Sequence, residues 1–87
     1  YYKPGTVTTG LDLWTDYQKV TERSAEISFK YFGNNEKYSM IVTLSDENSY
    51  KVYFYGKVIC FVDINNGSLD FIFDNNVKSG VFEIKGE

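Results

Sequence analysis

The chain has no histidine and only one cysteine, one proline and one arginine among its 87 residues. Without histidine, the commonest general base, the usual catalytic dyads and triads, and most zinc sites are excluded. The single cysteine, Cys60, forbids an intrachain disulfide and a thiolate metal cluster. It lies in the apolar phase of an alternating segment with no electropositive neighbour, and so reads as a buried free thiol rather than a nucleophile. No glycine-rich phosphate loop is present. Cationic charge is also scarce: 9 basic residues face 12 acidic ones, for a net charge of −3. Lys30, Lys51 and Lys57 are too few to follow a phosphate backbone, so nucleic acid is not expected as a partner. No apolar run approaches the length of a membrane-spanning helix, and no membrane association is expected. No metal or cofactor is called for, and the chain is not expected to be an enzyme.

What the chain does have is aromatic residues: 8 Tyr, 7 Phe and 1 Trp, or 18 % of its length. Each buries a large apolar area, which compensates for the small core of a short domain. The scarcity of proline and the ordinary apolar content exclude a disordered chain. Residues 1–87 read as one domain. The chain begins at Tyr1 rather than Met, as a processed, trimmed or excised piece would.

From about residue 25 onward, apolar side chains alternate strictly with polar ones. Ala25, Ile27, Phe29 and Tyr31 form the first set, and Tyr38, Met40, Val42 and Leu44 the second. Tyr50, Val52 and Phe54 follow, then Val58, Cys60, Val62 and Ile64, then Leu69, Phe71 and Phe73. A period of two is that of a strand with one buried face. Between the sets lie turn residues: Gly33-Asn34-Asn35, residues 45–49, Gly56, Asn65-Asn66-Gly67-Ser68, and residues 74–80. The sequon Asn66-Gly67-Ser68 falls on a bend that Asn-Gly forms anyway, so it is read as a turn rather than a glycosylation site.

Pairing successive strands through these turns gives a register. A two-residue turn at Asn34-Asn35 sets Tyr31 against Tyr38, Phe29 against Met40 and Ile27 against Val42. The next turns set Val42 against Val52, Val52 against Cys60, Ile64 against Leu69 and Val62 against Phe71, with Phe82 and Ile84 continuing beside Phe73 and Phe71. The expected fold is all-β: a six- to seven-stranded antiparallel meander forming a small barrel or compact sandwich. Residues 6–13 read as an N-terminal strand. Leu13, Tyr17 and Val20 share one helical face, so a short helix or irregular turn is expected near 14–21.

The same register leaves a second apolar stripe on the reverse face. Ile41 falls opposite Tyr53, and Phe61 between Lys51 and Ile72. The N-terminal segment, with Leu11, Leu13, Trp14, Tyr17 and Val20, is the expected cover for much of this stripe. Tyr53 and Tyr55 point away from the main apolar face, as contact residues at an interface do. Ile41, Tyr53, Tyr55 and Phe61 are therefore the candidate binding residues. The expected function is a non-catalytic protein-interaction module, of the inhibitor, immunity or assembly kind, acting through this face or through a free edge strand. A homodimer also fits the stripe. The alternative is a small-ligand or carbohydrate-binding domain using a barrel interior or a patch around Trp14. A weaker alternative is a carboxylate enzyme built on Asp63 and Asp70, which the register places opposite one another.

Overall fold

The computed structural model describes residues 3–45, 50–55, 61–65 and 67–86, with the backbone alone for residues 55 and 61–65. Eight strands follow one another: β1 (Thr6–Thr9), β2 (Leu13–Val20), β3 (Ser24–Tyr31), β4 (Lys37–Thr43), β5 (Tyr50–Tyr55), β6 (Phe61–Asn65), β7 (Ser68–Asp74) and β8 (Ser79–Gly86). They form two antiparallel four-stranded sheets, sheet A in the order β1-β4-β7-β6 and sheet B in the order β2-β3-β8-β5. The two sheets pack as a sandwich and do not close into a barrel.

The alternation sorts buried from outward residues as expected. Ile27 and Phe29 on β3, Met40 and Val42 on β4, Leu69, Phe71 and Phe73 on β7, and Phe82 and Ile84 on β8 are all buried. Full burial contributes about 1.5–3 kcal/mol for each such side chain. The rings interlock across the middle of the sandwich. Phe71 meets Phe82 at 4.6 Å between centroids, and Phe29 meets Phe73 at 4.7 Å.

The meander is not what forms. β3 and β4 do not pair with each other. β3 lies between β2 and β8, and β4 between β1 and β7. The segment 32–36 is a crossover between sheets, and Tyr31 and Tyr38 face each other as stacked rings instead of cross-strand neighbours. β5 likewise pairs with β8, not with β4, and Val52 lies opposite Ile84. β6 belongs to the other sheet from β5; the expected partner Cys60 lies outside the described residues. β8 is in sheet B, so Phe82 reaches Phe71 across the sandwich and not along a ladder. The expected pairs Ile64–Leu69 and Val62–Phe71 do form, because β6 and β7 are joined by a connection of only two residues, 66–67, with Gly67 at φ 81°. That left-handed backbone suits glycine.

The expected strand 6–13 is broken by a turn at residues 11–12, strand resumes at Leu13–Val20, and no helix forms among the described residues. β1 is only four residues long and hydrogen-bonds to the edge of β4. The turn after it contains Asp12 at φ 63°, a conformation that Asp tolerates better than most residues. β2 then pairs with β3, with a shift in register between Thr15 and Tyr17. The extra residue of this bulge leaves Leu13 and Val20, seven residues apart as on a helix, both facing the core, while Tyr17 points outward and shares no face with them.

At one end of the sandwich, two crossovers are tied together. Asn75 Nδ2 donates to the carbonyls of Gly33 and Asn35, at 3.3 and 2.8 Å, and Lys78 Nζ donates to Asn75 Oδ1 at 2.6 Å. The Asn35 amide donates to Tyr31 Oη at 3.1 Å, and the Tyr38 hydroxyl donates to the Val77 carbonyl. Burial, reinforced by the neighbouring Tyr31 phenol, pushes the Tyr38 pKa up to about 12.

Candidate binding face

Each strand of sheet B carries every second residue on the face away from the core. On β2 these are Trp14, Tyr17 and Lys19, and on β3 they are Glu26, Ser28 and Lys30. Both sets follow from the partners in the ladder and from burial of Leu13, Ile27 and Phe29. On β8 the outward residues are Ser79, Val81, Glu83 and Lys85, since Phe82 and Ile84 point in. On β5, Tyr53 occupies this face beside Glu83.

The ladder arranges these residues in rows across the sheet. One row runs Trp14, Lys30, Ser79. The second runs Tyr17, Ser28, Val81, with residue 55 at the next register position. The third runs Lys19, Glu26, Glu83, Tyr53. Adjacent strands are about 4.8 Å apart, so Tyr17 and Val81 flank Ser28 at roughly 10 Å from each other. Trp14 is 64 % exposed, Tyr17 51 %, Val81 46 % and Tyr53 43 %. None of the described residues covers these four side chains over that much of their surface.

Charge of both signs frames the apolar residues. Lys30 Nζ lies 4.0 Å from Asp16 Oδ2, and Lys85 Nζ 3.6 Å from Glu83 Oε2. Tyr17 Oη approaches Glu26 Oε2 at 3.4 Å, and Lys85 Nζ lies 5.7 Å from the centre of the Tyr53 ring. Such exposed pairs contribute at most about 1 kcal/mol each to folding. A shallow depression of about 220 Å³ opens between Lys19, Glu26, Glu83 and Lys85, with Ala25 and Ile84 at its floor.

The four residues expected from the sequence do not share one surface. Tyr53 and residue 55 belong to β5 in sheet B, whereas Ile41 and Phe61 belong to β4 and β6 in sheet A. Ile41 lies between Thr8 and Asp70, not opposite Tyr53, and is half-buried. Phe61 stands opposite Ile72, as the register predicted, while Lys51 is in the other sheet. The continuous stripe across four strands therefore does not exist, and the N-terminal segment does not cover it. β1 extends the edge of sheet A, and β2 extends the edge of sheet B.

Trp14 and Tyr17, assigned by the sequence to that cover, are instead the most exposed rings of the sheet B face among the described side chains. Val81 was legible but overlooked: burial of Phe82 and Ile84 puts the odd-numbered residues between and before them outside. Asp63 does stand opposite Asp70 in the ladder. Among the described residues, no three His, Cys, Asp or Glu side chains gather as a metal site. No helix among them is long and apolar enough to cross a membrane. No protein-family model, no curated protein and no solved structure matches the chain.

Proposed function

We propose that this chain is a non-catalytic protein-binding module whose contact surface is the outer face of sheet B. The observation that carries this reading is the collection of Trp14, Tyr17, Tyr53 and Val81 on one side of one sheet, exposed and outside the core. Aromatic anchors framed by mixed charge are the usual composition of a protein interface centre and its rim. A catalytic role has less support by comparison, because the chain has no histidine and the described residues of the face form only the shallow depression beside Glu26 and Glu83.

The face is favoured over the edges of β1 and β2. β1 presents only four residues, and the bulge between Thr15 and Tyr17 interrupts the outer edge of β2. Both features discourage pairing with an incoming strand. A carbohydrate ligand is the second reading. It rests on Trp14 and Tyr17, whose rings follow one another on β2 and suit stacking on sugar rings. The barrel interior considered for such a ligand is not available, since the sandwich centre is filled with phenylalanine rings.

The test is affinity capture from the source organism with the wild-type chain and with a Trp14→Ser, Tyr17→Ser, Tyr53→Ser variant, alongside a glycan array. A protein retained by the wild type and lost by the folded variant supports the reading. The same protein retained equally by both overturns it. Glycan binding that depends on Trp14 transfers the face to the second reading.

A further inference from the structure

We infer that the occupant of the sheet B face is a second copy of this chain, packed face to face about a two-fold axis that lies in the interface perpendicular to the strands. The inference rests on the binding-face reading above and names its partner. It is carried by the charge pattern, which is self-complementary under one two-fold operation and not under the other.

Consider an axis running across the strands along the row Tyr17, Ser28, Val81. It superimposes that row on itself, so Tyr17 meets Tyr17 and Val81 meets Val81 of the second copy. The rows on either side exchange. Lys30 then falls over Glu26 of the second copy, and Glu26 over its Lys30, because these residues sit on the same strand one row to either side of Ser28. Trp14 falls over Lys19 of the second copy by the same operation on β2. This pairing places a cation on an indole face, an attractive contact. Glu83 falls over Ser79, which carries no charge. Asp16, at the bulge beside Tyr17, lies towards Lys19 of the second copy.

An axis along the strands gives the opposite result. It exchanges β3 with β8 and sets Glu26 over Glu83 of the second copy, in the row that also holds Lys19 and Tyr53. Like charges placed together in an interface disfavour that arrangement. The charge pattern thus selects one of the two isologous packings.

The dimensions set the strength. Four strands about 4.8 Å apart and seven residues of about 3.4 Å rise give a face of roughly 19 by 24 Å. That is about 450 Å² in projection, below the roughly 800 Å² per partner of a standard stable interface. The dimer is therefore weak and forms in the micromolar range.

The experiment is sedimentation equilibrium on the whole chain, with Trp14 emission recorded over the same concentrations. Trp14 is the one tryptophan in the sequence, so its emission reports this face alone. The variants are Lys30→Glu, Glu26→Lys and the double exchange, all at exposed positions, with circular dichroism to establish that each is folded. The expected result is a concentration-dependent dimer with a blue shift of Trp14 emission. Each single variant weakens it roughly three- to tenfold, since two symmetry-related contacts are lost at once. The double exchange restores it. A chain that stays monomeric to about 1 mM overturns the inference. A dimer with unshifted Trp14 emission overturns it as well, as does a double exchange that fails to restore association. None of these outcomes bears on capture of a different protein through Trp14, Tyr17 and Tyr53, which tests the binding face separately.

Discussion

Tyr31 and Tyr38 stack at 3.8 Å between ring centroids and 13° between planes, although they belong to different sheets. They are the last residue of β3 and the second of β4, so the pair pins both ends of the crossover between them. The Tyr38 hydroxyl also donates to the Val77 carbonyl, which connects that crossover to the next one.

This contact gives the fold a defined alkaline weakness. The Tyr38 proton is held more tightly in the folded chain, with a pKa of about 12 against an ordinary 10.0. A group whose pKa rises on folding contributes stability that is complete below about pH 10 and is lost as pH climbs through about 12. Tyr38→Phe removes this contribution. In urea unfolding, the variant is expected to be less stable than wild type near neutrality by about 1 kcal/mol, for the lost hydrogen bond. Its stability should fall less steeply between about pH 10 and 12. Parallel curves for the two proteins would refute the assignment.

Gly80 faces inward on β8, and a Cβ there would lie 2.8 Å from Phe54 Cζ and 2.9 Å from two carbons of the Phe29 ring. Both rings are held by neighbours: Phe29 packs on Phe73, and Phe54 lies parallel to Phe82 at 6.2 Å. Gly80→Ala should destabilise the fold by about 1–3 kcal/mol through overpacking, read from the denaturant midpoint.

Asn75→Ala should cost about 1–2 kcal/mol. It removes the donor to two carbonyls of the 32–36 crossover and the acceptor for Lys78. Hydrogen exchange should locate the loosening at the Asn35 amide, whose bond to Tyr31 Oη depends on that crossover staying in place.

Trp14→Ser and Tyr53→Ser, made singly, should each change stability by no more than about 0.5 kcal/mol. Phe71→Ala should cost about 3–5 kcal/mol, since its ring is fully buried against Phe82. A loss at Trp14 approaching that of Phe71 would place the indole in the core and remove it from the binding face.

The alternation of residues 25–84 was sufficient to say which side chains enter the core. It was not sufficient to say which strands are neighbours. Phe29 and Met40 are both inward residues, and inward residues of two strands belong either to one sheet or to two sheets facing each other. The pattern is identical in both cases, because burial depends on the face and not on the ladder. Only where the connection is short and its turn chemistry specific, as at Asn66-Gly67, did the sequence determine the partner. The five residues from Phe32 to Glu36 were long enough to cross the sandwich. The segment 14–21 reads as a helix for a different reason, since the bulge at Thr15–Tyr17 shifts the phase of β2 and sets the inward Leu13 and Val20 seven residues apart. The candidate site inherited both errors. Tyr53 was placed outward through its own strand's alternation, but its companions Trp14, Tyr17 and Val81 depend on the order of strands in sheet B.

That order also bears on how the chain acquires its structure during synthesis. β8 lies in the middle of sheet B and is the only bridge from the β2–β3 ribbon to β5. A nascent polypeptide that ends before Ser79 holds the β2–β3 hairpin and a β5 segment with nothing to join them, and leaves the inner face of sheet A covered only where Phe29 and Tyr31 reach Phe73 and Tyr38. β5 can join sheet B only once residues 79–86 have left the ribosome. Until then the side of Phe71 that Phe82 covers is the surface that chaperones would meet.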